Sequence, residues 1–141
     1  MSMTGLESFD TSLQKANIWL KEIMEELAID SRRRAYGVLR AVLHTLRDRL
    51  TIDEAADLGA QLPMIVRGIY YDEWKPSRNP IKDRHLDDFL QRVRHNFHAD
   101  GELEMEDITK AVFHLLKRKV TEGEIEDIRG MMPKELLELW Q

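Results

Sequence analysis

Cysteine is absent from these 141 residues. That excludes disulfides, thiolate nucleophiles and every zinc or iron–sulfur site that needs sulfur ligands. No apolar run approaches membrane-spanning length. The opening string MSMTGLESFDTSLQ has no basic segment leading into an apolar one, so it does not read as a signal peptide. There is no phosphate-cradling glycine loop, no GxSxG elbow and no HExxH pair, and no serine sits in a nucleophile context. The Asp-Gly-Glu at positions 100–102 is far short of a calcium loop. Positive charge is also short. A net charge of −5 and a pI near 5.6 argue against general nucleic-acid binding, which needs a basic footprint.

No stretch alternates with a period of two for long enough to make a strand. Apolar residues instead recur at three-and-four spacing, which lines them along one helical face. Leu13, Ala16, Leu20, Ile23, Met24 and Leu27 form one stripe, with Leu86, Phe89, Leu90, Val93 and Phe97 as its counterpart. Ala35, Val38, Leu39, Val42, Leu43, Leu46 and Leu50 form another, answered by Met105, Ile108, Ala111, Val112, Leu115, Leu116 and Val120.

These counterparts follow from an internal repeat. Residues 18–70 align with residues 88–140 at a constant offset of 70, without a gap, and ten positions are identical. Ala41/Ala111, Val42/Val112, His44/His114, Leu46/Leu116, Thr51/Thr121, Glu54/Glu124, Asp57/Asp127 and Pro63/Pro133 carry most of the match. Each copy is too small to bury an adequate core alone, so a shared core is expected. Thr51 with Glu54, and Thr121 with Glu124, have the spacing of capping boxes that open a short third helix. Pro63 and Pro133 are placed to open a fourth. The expectation is an all-α single domain, 1–141, of about eight helices. Unit 1 covers 11–70, a linker 71–85 and unit 2 86–140, with the units related by a pseudo-twofold and packed through their first and second helices. Residues 1–10 are expected to fray, with Asp10 or Thr11 capping the first helix.

The string AVLHTLRDRLTIDEAADLGAQLPMIVRGIYYDEWKP, residues 41–76, together with its echo ending in MMPKELLELW, resembles a bacterial family known as domain of unknown function number 2267. The resemblance runs from about residue 13 to 141. It implies a small helical bacterial protein of the cytoplasm and carries over no catalytic residue. The second copy lacks a counterpart of Arg67 and Gly68, so whatever that segment does is expected to be done once.

Four groups of polar residues are candidates for function. Arg33, Arg40, His44 and Arg47, echoed by Lys110, His114 and Lys117, form basic stripes expected to face solvent, suited either to an acidic partner or simply to solvation. Arg49 and Lys119 with Asp57 and Asp127 read as interhelix ion pairs; as a functional alternative, these four would line a polar pocket between the units, holding a ligand or supporting an enzyme. His95, His98 and Asp100 form a loose grouping of metal-ligand types without an established spacing. Arg67, Tyr70, Tyr71 and Trp74 read either as a plug in the seam between the units, with Arg67 pairing to nearby acids, or as a partner-binding surface. Gly68, inside a helix, hints at a close backbone approach. On this reading the chain is a non-enzymatic binding or adaptor protein of the cytoplasm, without a cofactor, and its partner is another protein or a second copy. A weak nucleic-acid binder using Arg32, Arg33, Arg34, Arg40 and Arg47 is the remaining alternative.

Overall fold

A computed structural model describes residues 3–98 and 102–141. Among them are eight α-helices and no strand. In chain order these are α1 (Glu7–Leu27), α2 (Arg32–Arg49), α3 (Ile52–Ala60), α4 (Met64–Tyr71), α5 (Leu86–Asn96), α6 (Met105–Lys119), α7 (Glu122–Gly130) and α8 (Lys134–Leu137). Short 3-10 turns occupy Pro76–Arg78 and Glu138–Trp140.

Local chemistry sets most boundaries. Ser31 caps α2 by accepting from the Arg34 amide, and Thr51 and Thr121 cap α3 and α7 by accepting from the amides of Glu54 and Glu124. Pro63 and Pro133 stand immediately before α4 and α8, one position earlier than expected. The first helix begins at Glu7 rather than at a cap on Asp10 or Thr11. Asp10 instead accepts from the amide and hydroxyl of Thr4, pinning the residues that precede the helix.

Burial recurs at positions 70 apart: Trp19 and Phe89, Ile23 and Val93, Val38 and Ile108, Leu43 and Phe113, Leu58 and Ile128, Val66 and Leu136, Tyr70 and Trp140 are all buried. One contiguous cluster takes residues from all eight helices. The two long helices lie at its centre, with α2 packed on α1, α4, α5 and α6, and α6 on α1, α5 and α7. The short helices α3 and α7 meet each other.

The capping boxes form only by half. The Thr121 amide donates to Gln61 Oε1 (2.9 Å), while Met131, which aligns with Gln61, places its sulfur 3.9 Å from the Thr51 hydroxyl. Glu54 and Glu124 turn away from their own caps and towards one another. Burial, reinforced by the adjacent Glu54, pushes the Glu124 carboxyl up to about 8.

Candidate functional site

The basic stripe is divided by packing. Arg33 is exposed, but His44 and Arg47 are only 4% and 3% exposed, contrary to the solvent-facing expectation. The reason lies at the carboxyl end of α4, whose last carbonyls have no partner within the helix. His44 Nε2 donates to the Ile69 oxygen (2.7 Å), and Arg47 Nη1 donates to the oxygens of Tyr70 (2.7 Å) and Asp72 (3.0 Å). Positive charge at a helix carboxyl end also favours the dipole. Burial, aided by Arg47 and Arg40 and opposed by the Ile69 bond, holds the His44 pKa below its ordinary value. At the positions 70 further on, Lys117 Nζ donates to the Trp140 oxygen (2.8 Å), and His114 bridges Glu26 (2.8 Å) and the Gln141 oxygen (2.6 Å). Lys110 is half-buried beside Glu104 and Asp107.

The aromatic segment is mostly internal. Tyr70 is fully buried and donates to the Ala55 oxygen (2.7 Å). Tyr71 lies against Gly59, where an added Cβ would stand 2.2 Å from its hydroxyl. Arg67 caps α3 through the oxygens of Gly59 (2.8 Å), Ala60 (3.2 Å) and Leu62 (2.9 Å), rather than pairing with acids. Gly68 has open space around it, so no close approach explains it; Gly59, by contrast, is tightly packed. Trp74 donates to Asn79 Oδ1 (2.9 Å), and Asn79 in turn donates to the oxygens of Arg47 (2.7 Å) and Leu50 (2.8 Å) at the end of α2. The linker is therefore docked on α2, with Ile81 donating to the Asp48 oxygen (2.8 Å).

The expected ion pairs at the interhelix corner do not form. Arg49 donates to the Asp83 oxygen (3.0 Å), Lys119 pairs with Glu22 (2.6 Å), and Asp57 joins the two buried glutamates. Arg49 and Lys119 are thus engaged away from Asp57, with the linker and with α1. His85 bonds Glu135 across to α8 and is not gathered with His95 and His98. Asp100 lies outside the described residues.

What the structure does bring together is unexpected from spacing alone. An open cleft of about 580 Å³ runs along α2 between the linker and the carboxyl end of α5. Arg40, His44 and Arg47 floor it, Trp74, Lys75 and Arg78 line one side, and His95, Asn96 and His98 the other. A neighbouring hollow, sharing Arg40, Glu73, Asn96 and His98, extends it to Arg33 and Tyr36. Residues from three separate candidate groups thus share one surface. Arg40 is held by Asp72 and Glu73 (3.2 Å each), whereas Arg33, Lys75 and Arg78 are exposed and form no ion pair among the described residues.

A family model described as an uncharacterized conserved protein, DUF2267, matches residues 16–139. The chain belongs to that family. No curated protein matches it. The matched span contains the whole cleft, so in this DUF2267 chain the cleft is part of the family domain rather than an appendage. Among the described residues, no helix is long and apolar enough to cross a membrane.

Proposed function

We propose that this is a non-enzymatic binding or adaptor protein of the bacterial cytoplasm, and that the cleft along α2 receives an acidic segment of a partner protein. The observation that carries this reading is the convergence of Arg33, Trp74, Lys75, Arg78, His95 and His98 on one open surface. The unpaired cations supply attraction, and Trp74 supplies a half-exposed aromatic face. Arg67 and Tyr70 leave the contact surface, because both are committed to internal bonds. Acids interrupt the basic run, with Asp48 and Glu73 on the cleft itself. A polyphosphate backbone would meet both signs of charge, so a short acidic peptide fits better than nucleic acid. The Thr45 hydroxyl on the same helix is already committed, donating to the Ala41 oxygen (2.8 Å) and accepting from Asn96 (2.9 Å). The recurrence of burial at an offset of 70 supports one domain, 1–141, built from two units across a pseudo-twofold.

Trp19 and Trp140 are buried, so Trp74 dominates any ligand-sensitive fluorescence. Titration with an oligoglutamate peptide should quench it saturably, and Lys75→Glu with Arg78→Glu should abolish the response. A single-stranded oligonucleotide binding more tightly than the peptide, or no response to the peptide at low salt, would overturn the proposal.

A further inference from the structure

The packing of α3 on α7 brings Glu54 and Glu124 together, two residues that occupy the same position in the two copies. They are 6% and 7% exposed, and the exposed Asp57 joins them one turn along α3. One carboxylate oxygen from each of the three lies within 4.8 Å of the other two. Glu54 Oε1 and Glu124 Oε2 are buried without a hydrogen-bond partner among the described residues. Asp127 adds negative charge from α7. Among the described residues, no lysine, arginine or histidine pairs with any of these four acids. Ionised carboxylates this close repel, and either a shared proton or a cation between them relieves the repulsion.

Calcium holds oxygen ligands at about 2.3–2.6 Å, so ligands on opposite sides of the ion are about 4.6–5.2 Å apart. Oxygens within 4.8 Å of one another can share one such ion. Magnesium holds its water strongly and is rarely taken up by an all-protein carboxylate cage, so it suits the site less well. We propose that Glu54, Asp57 and Glu124 form a site for a calcium-sized divalent cation that ties α3 to α7. Asp57 provides the open side, where water completes the coordination. The site is separate from the α2 cleft and stands whether or not that cleft binds a peptide.

The test uses the full chain, stripped with a chelator and titrated with calcium chloride alone near neutral pH. Calorimetry should give one site per chain, and saturating calcium should raise the melting temperature by about 5 °C or more. Magnesium should do less. Glu54→Gln and Glu124→Gln should each lose the calcium response while melting at or above the metal-free wild type, because each puts a neutral amide of the same shape where a carboxyl can ionise beside other acids. No response at millimolar calcium, with both variants simply more stable, would show that a shared proton alone relieves the repulsion, and would overturn the proposal. An equal calcium response in wild type and variants would reduce it to screening of an acidic surface and would overturn it too.

Discussion

Arg47 offers the sharpest test of the packing argument. It looks like a surface cation in the sequence, yet it is 3% exposed and makes three charge-assisted bonds, to the oxygens of Tyr70 and Asp72 and to the Asp48 carboxylate (2.9 Å). Replacing it by leucine keeps much of the apolar stem but strands two carbonyls at the end of α4. An unsatisfied buried acceptor costs about 1–3 kcal/mol, and breaking a buried charged contact about 3–5 kcal/mol. Because these contributions overlap, Arg47→Leu should lose about 3–5 kcal/mol in total, a drop of about 10 °C or more in melting temperature. Arg47→Lys imitates Lys117, which serves one carbonyl 70 positions further on, and should lose about 1–2 kcal/mol. Arg33→Leu, on the exposed side of the same helix, should stay within about 0.5 kcal/mol of wild type. Urea unfolding followed by circular dichroism measures all three. A loss below about 1 kcal/mol for Arg47→Leu would refute the capping role. Equal losses for the leucine and lysine variants would show that charge at this position contributes nothing.

Gly59→Ala should destabilise by about 1–3 kcal/mol because its Cβ would run into the Tyr71 ring; in a Tyr71→Ala background the same change should cost almost nothing, and a double-mutant cycle by urea unfolding reads the coupling. His44 is held neutral, so its contribution to stability is complete above the ordinary value of 6.5 and is lost as pH falls from there through the lowered folded value. His44→Gln, which retains a donor for the Ile69 oxygen, should flatten that part of the stability–pH curve; the wild-type excess slope should not exceed about 1.4 kcal/mol per pH unit, and identical curves would refute the assignment.

Helices, their order and the buried apolar positions were legible in the sequence because each is written in spacing along a single helix. Val38, Val42 and Leu46 declare one face of α2 whatever surrounds it, and Thr51 and Thr121 mark helix starts through bonds that reach only three residues. The offset of 70 adds the recurrence of those positions. Spacing cannot show how many sides of a helix are covered. The polar side of α2 is buried at His44 and Arg47 because α4 and the linker close over it, and the carbonyls they bring require donors. Asn79 and Gly59 were missed for the same reason: one bonds a helix end 29 to 32 positions away, and the other is tight only because Tyr71 lies over it. Glu54 and Glu124 were visible as identical capping residues. Only the contact of α3 with α7 turns them from two helix caps into one acidic cluster, since charges 70 residues apart acquire a shared energy only when the chain folds.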